Sequence, residues 1–110
     1  MDMNEYQLKA ASTAVYPKEN GLLYTALGLC GESGEYAEKL KKVFRMKGEV
    51  LMIDSEVKHA LAGELGDILW YLAQASFELG FTLEQVAQWN LSKLAHRKQQ
   101  GTLKDAGDNR

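Results

Sequence analysis

Two pairs of acidic residues occur at the same spacing in two segments of the chain. Glu32 and Glu35 are three residues apart in GESGEYAEKLKK, and Glu64 and Asp67 repeat that spacing in GELGDILWYLA. Side chains three positions apart emerge at neighbouring positions on one helix face. Carboxylate oxygens are the ligands that Mg²⁺ prefers, and Mg²⁺ often shares its coordination with substrate phosphates. The four acids are therefore candidate metal ligands, with an ordinary solvated helix face as the alternative for either pair alone.

Both acid pairs bear the same angular relation to the apolar face of their own helix. At about 100° per residue, the first acid of each pair lies at the border of an apolar stripe and the second lies about 60° further out. If the two helices pack antiparallel, these borders meet and the four carboxylates come together. Such a cluster raises the pKa values of its members, and a divalent cation relieves the repulsion. The stripes comprise Leu22, Ala26, Leu29, Ser33, Tyr36, Leu40 and Phe44 in one helix, and Leu61, Leu65, Ile68, Leu72 and Leu79 in the other.

Glycines interrupt both acidic segments. A glycine inside a helix costs about 1 kcal/mol relative to alanine, so its presence requires a reason. Close approach of a neighbouring helix, or room for a ligand, would supply one. The glycines concerned are Gly28, Gly31, Gly34 and Gly66.

Helical periodicity throughout, with a single proline, predicts an all-α fold in which four helices form a bundle. The first helix is expected to end at Val15 or Tyr16, ahead of Pro17. Thr82 and Gln85 have the spacing of a capping box, with Phe81 and Val86 as the accompanying hydrophobic staple. The first predicted helix runs from about residues 2–4 to 15–16, and the second from 20–22 to 44–47. The third runs from 54–55 to 79, before a closing glycine, and the fourth from 82 to about 96–100. The connection 47–56 is left open between an extended and a helical form, and 101–110 is expected to be a flexible tail.

Length and composition predict a single domain spanning residues 1–110, in a cytoplasmic setting. A net charge of −2 disfavours a nucleic-acid partner. Apolar runs fall short of the roughly 18 residues of a membrane span, and MDMNEYQLKA lacks the features of a signal peptide. Cys30, in an apolar run, is predicted to be a buried, reduced thiol. Apolar residues left exposed on the long helices of so small a unit favour a homo-oligomer.

The two acidic segments resemble the MazG-like family of all-α nucleoside triphosphate pyrophosphohydrolases. That family carries an ExxE pair on one helix and an ExxD pair on the next, and all four positions are filled here. The ending NLSKLAHRKQQGTLKDAGDNR is similar to the C-terminal part of short, single-domain members. The resemblance covers about residues 20–110, although the gap between the pairs, which contains KGEVLMIDSEVK, is long for the family.

The resemblance implies hydrolysis of a nucleoside triphosphate between its α- and β-phosphates, giving the monophosphate and pyrophosphate. It implies Mg²⁺ as cofactor, with Mn²⁺ as a substitute, a homo-oligomer (dimer or tetramer), and a role in clearing nucleotides. Glu32, Glu35, Glu64 and Asp67 would be the metal ligands. Glu32 or Glu35 would also be catalytic, as the base that takes a proton from the attacking water.

Candidate residues for binding the substrate lie outside the acid pairs. Asn90, Lys93 and Arg97 lie on one face of the last helix, and the matching family motif indicates contacts with phosphate or base. Tyr71, on the Asp67 side of its helix, is the preferred aromatic partner for a nucleobase, whereas Trp70 and Trp89 are more typical of core or interface positions. The basic residues after the first acid pair are expected to be mostly solvated, with one of them a further candidate for a phosphate contact: Lys39, Lys41, Lys42 and Arg45.

Other classes of protein fit the sequence less well. A non-catalytic helical module for nucleotide binding or protein interaction is the main alternative, but it does not require all four acids. Glu56 and His59 have the spacing of a di-iron motif, yet His96 on the last helix has a lysine, Lys93, three residues before it rather than an acid. A helical DNA-binding protein is disfavoured by the negative net charge.

Overall fold

Four helices follow one another along the chain. The computed structural model describes residues 1–47 and 53–101, and within these ranges it contains no strand, so the predicted all-α fold is confirmed. None of the helices in these ranges is long and apolar enough to cross a membrane. The helices are α1 (Met3–Ala11), α2 (Gly21–Lys47), α3 (Ser55–Glu78) and α4 (Leu83–Gln100), with a short 3-10 turn (Lys18–Asn20) before α2. The predicted flexible tail 101–110 lies, apart from its first residue, outside the described residues, as does the middle of the connection 47–56.

The boundaries of α3 and α4 follow the local signals in the sequence. Asp54 caps α3 by accepting a hydrogen bond from the backbone N–H of Val57 at 2.9 Å. Thr82 and Gln85 form the predicted capping box at the start of α4, each side chain accepting from the other residue's backbone N–H. Gly80 follows α3 with a φ of 86°, a conformation that glycine adopts without strain. These starts and ends are therefore confirmed.

α1 ends at Ala11, about one helical turn before the predicted end at Val15 or Tyr16. The hydroxyl groups of Ser12 and Thr13 donate hydrogen bonds of 2.7 Å to carbonyl oxygens of the last helical turn. Such bonds offer the backbone an alternative to the helical ladder, and the residue before a proline, here Tyr16, is disfavoured in the α conformation. The predicted end is wrong, and the segment after Ala11 instead brings Thr13 and Tyr16 to the side chains of α3.

α2 and α3 form the main helix pair and run antiparallel. A Cβ atom added at Gly21 would overlap the carboxyl group of Glu78, and one added at Gly28 would overlap the ring of Tyr71. Seven residues forward along α2 therefore correspond to seven residues back along α3. The close approach of the Tyr71 ring explains why position 28 is a glycine, since any side chain there would overlap the ring.

Gln7 fixes α1 against the corner between α3 and α4. Its side-chain Nε2 donates to the carbonyl oxygens of Ala73 at 3.0 Å and Phe81 at 3.2 Å. Its Oε1 accepts from the backbone N–H of Leu83 at 2.9 Å. One buried amide thus satisfies backbone groups of α3, of the α3–α4 turn and of the first turn of α4.

One side of α2 is not covered by any other described helix. Among the described residues, α4 packs against α1 and α3, and α2 packs against α3 and the 3-10 turn. Several residues of the predicted apolar stripes are consequently half exposed, with exposures of 48–56 % for Leu22, Phe44, Leu65 and Leu79. The prediction of a core position is wrong for these residues in the single chain, and it is also wrong for Cys30, which is exposed. Apolar surface of this kind is typical of contact with another molecule.

Candidate metal centre

The antiparallel register brings the two acid pairs face to face. Four residues beyond Gly28 on α2 stands Glu32, and four residues before Tyr71 on α3 stands Asp67. Three further steps in each direction reach Glu35 and Glu64. The spacing on α3 is therefore the mirror image of the spacing on α2, as an antiparallel pair requires.

Three carboxyl groups meet at this place. Glu32, Glu35 and Glu64 each offer one oxygen atom, and these oxygens all lie within 4.8 Å of one another. The three groups differ in exposure, since Glu64 is buried, Glu32 is half-buried and Glu35 is exposed. The cluster is thus open to solvent on one side and closed by Glu64 on the other.

Glu64 is the buried member of the cluster, with 9 % of its surface exposed. Its Oε1 lies 3.5 Å from Nζ of Lys39. Its Oε2 is buried, and no described protein group forms a hydrogen bond with it. A buried carboxylate oxygen without a donor is unfavourable, and a hard cation among the three carboxylates would satisfy it. The donor set, all carboxylate oxygens, fits Mg²⁺.

The electrostatics of Glu32 reflect the whole acid set. Partial burial raises the pKa of its carboxyl group above the ordinary value. The negative charges of Asp67, Glu35 and Glu64, in that order, raise this pKa further. Glu32 therefore lies within the electric field of all three other acids, as the antiparallel packing of the two helices predicts.

Asp67 stands beside this cluster rather than within the group of three oxygens. Its negative charge raises the pKa of Glu32. The pKa of Tyr6 on α1 is raised first by burial and then by the same charge. Asp67 and Glu32 both line a pocket of about 360 Å³ whose other residues are Thr13, Trp70 and Tyr71. The pocket thus joins the acids to an aromatic wall, and it lies at the lower end of the size range of small-molecule sites.

The aromatic wall is held by contacts with α1 and α2. The indole Nε1 of Trp70 donates to the hydroxyl oxygen of Thr13 at 2.8 Å and also lies 3.3 Å from the carbonyl oxygen of Ala10. The rings of Trp70 and Tyr71 meet edge to face, with centroids 5.0 Å apart. Burial raises the pKa of Tyr71, and a hydrogen bond with Tyr24 raises it further. These contacts give the wall a defined shape before any ligand binds.

The predicted substrate residues of α4 are not among the residues that line the pocket, whereas Tyr71 is. Asn90 and Lys93 are exposed and Arg97 is half-buried. Lys93 and Arg97 each interact with another group of the protein. Among the described residues, α4 does not pack against α2. The structure thus brings Tyr71 to the pocket beside Glu32 and Asp67, but it does not bring α4 against the helix that carries Glu32 and Glu35.

Two residues at the site were missed by reasoning from sequence. Thr13 reaches the pocket only through the packing of the segment after α1 on α3, and no local pattern marks it. Lys39 was expected to be mostly solvated, yet its ammonium group contacts the buried acid Glu64. The spacing of Lys39, four residues after Glu35, could have predicted that it lies near the acids, because residues at that spacing share a helix face.

Comparison with known proteins shows similarity to a family model and to a phage protein. A family model described as the MazG nucleotide pyrophosphohydrolase domain matches residues 21–102. The Gene 37 protein of Mycobacterium phage L5 is 43 % identical over 116 residues, covering 100 % of both chains. No solved structure matches. The family match includes both acid pairs and the whole α2–α3 pair, and the chain belongs to the family of MazG nucleotide pyrophosphohydrolase domains.

Proposed function

We propose that this protein is a Mg²⁺-dependent pyrophosphohydrolase that converts a nucleoside triphosphate to the monophosphate and pyrophosphate. The observation that carries the proposal is the cluster of Glu32, Glu35 and Glu64, whose oxygens lie within 4.8 Å of one another. The buried oxygen of Glu64 adds support, because it has no hydrogen-bond donor among the described residues. Membership of the MazG family supports the class of reaction.

The acids have different tasks in this proposal. Glu64, the buried member of the cluster, would be a ligand of the ion. Asp67, which lines the neighbouring pocket, would be a further ligand. Glu32 or Glu35, which lie nearer to solvent, accepts the proton of the attacking water. The ion, when bound, neutralises phosphate charge and lowers the pKa of a coordinated water; Mn²⁺ has the same ligand preferences.

The pocket beside the acids is the proposed place of the nucleoside. Tyr71 and Trp70 offer aromatic surface there, and Glu32 and Asp67 line its acidic end. Bases stack on aromatic side chains without strict sequence preference. Asn90, Lys93 and Arg97 are proposed to contact phosphate or base, because lysine and arginine form charge-assisted bonds with phosphate oxygens. The position of α4 away from α2 supports a site that a second copy of the chain helps to complete.

We also propose that the protein is a single-domain homo-oligomer, a dimer or tetramer, that clears non-standard or surplus nucleotides in the cytoplasm. The half-exposed apolar residues along α2 and α3 support the oligomer, since surfaces of this kind are usually covered by a partner. The exposed thiol of Cys30 is compatible with a reducing compartment.

The deciding experiment measures pyrophosphate release from a panel of ribo- and deoxyribonucleoside triphosphates, with and without Mg²⁺. Release should require Mg²⁺ and should fall by about a hundredfold or more in Glu35→Gln and Asp67→Asn, the size typical of losing a ligand or a base. Glu38→Gln is the matched control, because Glu38 is exposed and pairs with Lys41. Absence of release from every nucleotide, or release unaffected by the two substitutions, would refute the proposal. Mg²⁺-dependent nucleotide binding without turnover would identify a binding module instead.

A further inference from the structure

The ammonium group of Lys39 contacts the acid cluster from α2. Its Nζ lies 3.5 Å from Oε1 of Glu64, on the opposite helix. The Lys39 side chain is 47 % exposed, whereas that of Glu64 is only 11 % exposed. Lys39 also follows Glu35 by one helical turn, so both side chains project from the same face of α2. A partly solvated cation is therefore joined to the buried acid of the cluster.

A neighbouring ion pair shows what is unusual about this contact. Lys41 lies 2.9 Å from Glu38, three residues earlier on the same helix, and both side chains are well exposed. Exposed pairs of that kind contribute little and are screened by salt. Lys39 instead spans two helices and reaches a carboxylate that is almost excluded from water. Lys39 is thus paired with a member of the carboxylate cluster, whereas Lys41 is paired with an acid outside it.

The charges of the cluster determine what Lys39 does there. Three carboxylates within 4.8 Å repel one another, and one ammonium group offsets part of this repulsion. A divalent cation at the same oxygens would be attracted by the carboxylates and repelled by the ammonium group. A nucleotide would bring negatively charged phosphates beside the cluster, and these would attract that ammonium group. The long, half-exposed lysine side chain has the freedom to change partner.

We propose that Lys39 is a movable counter-ion of the carboxylate cluster. It pairs with Glu64 when no divalent cation is bound, opposes the binding of Mg²⁺ alone, and transfers its ion pair to a phosphate oxygen of the Mg²⁺-bound substrate. The inference rests on the proposed function, and it gives Lys39 opposite effects on the metal and on the phosphate ligand. A purely structural ion pair would have no such pair of opposite effects.

The test is calorimetry on the full chain with two probes, MgCl₂ alone and inorganic tripolyphosphate in the presence of Mg²⁺. Tripolyphosphate carries the phosphates without a base, so the result does not depend on nucleoside preference. Lys39→Met should bind Mg²⁺ about two- to fivefold more tightly and Mg²⁺-tripolyphosphate about two- to fivefold more weakly, the range for a partly exposed charge pair. Lys39→Arg, which keeps the charge, should lie close to the wild type for both probes. Lys41→Met is the matched control and should change neither affinity.

Each outcome decides the matter. Unchanged or weaker Mg²⁺ binding by Lys39→Met, or unchanged tripolyphosphate binding, overturns the role of Lys39 while leaving the proposed hydrolase intact if the wild type still releases pyrophosphate. A wild type that binds no Mg²⁺ overturns both the metal site and the counter-ion. Opposite shifts in Lys39→Met, absent in Lys39→Arg and Lys41→Met, support the proposal even if the preferred nucleotide differs from those in the panel.

Discussion

The ring of Tyr71 lies directly against the Cα atom of Gly28, in a space that a Cβ atom at position 28 would occupy. This contact sets the register of the two long helices, and the register in turn places Glu32 opposite Asp67 and Glu35 opposite Glu64. Tyr71 also lines the pocket beside the acids. One helix–helix contact therefore determines both the alignment of the carboxylates and the position of the aromatic wall.

Replacing Gly28 by alanine should weaken the α2–α3 pair. The new methyl group overlaps the Tyr71 ring, and overpacking of this kind costs about 1–3 kcal/mol, although alanine is the better helix former by about 1 kcal/mol. Gly63→Ala on α3 is the control, because a Cβ atom there would meet nothing within 4 Å. Urea unfolding followed by far-UV circular dichroism should show a loss for Gly28→Ala and a small gain for Gly63→Ala. Equal stability of the two variants would contradict the close contact.

Mg²⁺ should stabilise the folded protein through the carboxylate cluster. A ligand present at a hundred times its Kd, bound only by the native state, raises the free energy of unfolding by about 2.7 kcal/mol. Glu64→Gln should lose most of this gain, because the variant lacks the buried carboxylate of the cluster. Glu38→Gln should keep it, since Glu38 pairs with Lys41 outside the cluster. Thermal unfolding in EDTA and in Mg²⁺ measures the difference, and an equal gain in both variants would argue against the site.

The wall of the pocket should matter for the affinity for the nucleotide. Stacking of a base on an aromatic side chain is worth about 1–3 kcal/mol, so Tyr71→Leu should raise KM by about tenfold. Tyr71→Phe keeps the ring and should leave KM within a factor of about three. Steady-state pyrophosphate release across a nucleotide series gives both values. A KM that is the same in Tyr71→Leu and in the wild type would remove Tyr71 from the substrate site.

Tyr16 should make the free energy of unfolding depend on pH in the alkaline range. Burial, and then the 2.7 Å hydrogen bond to Glu78, raise the pKa of Tyr16 to about 12 from an ordinary value of 10.0. The folded state therefore retains a proton that the unfolded state loses between pH 10 and pH 12. The contribution of Tyr16 is fully present below pH 10 and is lost as the pH rises through that window.

Tyr16→Phe tests this dependence. The variant should be less stable at neutral pH by about 1–2 kcal/mol, since it lacks a hydrogen bond to a charged acceptor. Its stability should also decline less steeply between pH 10 and pH 12. Tyr36→Phe is the control, because Tyr36 lies about four helical turns along α2 from the end that Glu78 contacts. Urea unfolding at several pH values should separate the two variants, and parallel curves for Tyr16→Phe and the wild type would contradict the assignment.

Gln7 should hold α4 in place. Gln7→Ala removes the side-chain hydrogen bonds to three backbone groups of α3, the turn and α4, and the free energy of unfolding should fall by about 2–4 kcal/mol. Gln88→Ala, at an exposed position of α4, should change stability by less than about 0.5 kcal/mol. Hydrogen exchange should show reduced protection of the Leu83 amide in Gln7→Ala alone. Unaltered protection there would show that the clamp is not required.

The amino-acid sequence by itself determined those features that depend on residues close together in the chain. The capping box of Thr82 and Gln85 and the caps at Asp54 and Gly80 involve partners within a few residues, so their pattern is visible directly. The mirror-image spacing of the acid pairs is also a local pattern, and it predicts a shared site as soon as the helices are assumed to be antiparallel. The early end of α1 at Ala11 was missed, because the hydroxyl groups of Ser12 and Thr13 compete with the helix in a way that periodicity does not register.

Only the tertiary structure decided which residues are covered and which side chains meet across the helices. Cys30 and Leu65 are exposed because no described helix packs over their side of the chain, and helical periodicity cannot specify that coverage. The contact of Lys39 with Glu64 and the support of Trp70 by Thr13 join residues far apart in sequence. The contact of Lys39 with Glu64 depends on the α2–α3 register set by Gly28 and Tyr71, and that of Trp70 with Thr13 depends on how the segment after α1 packs on α3. Both are properties of two surfaces packed together rather than of either segment alone.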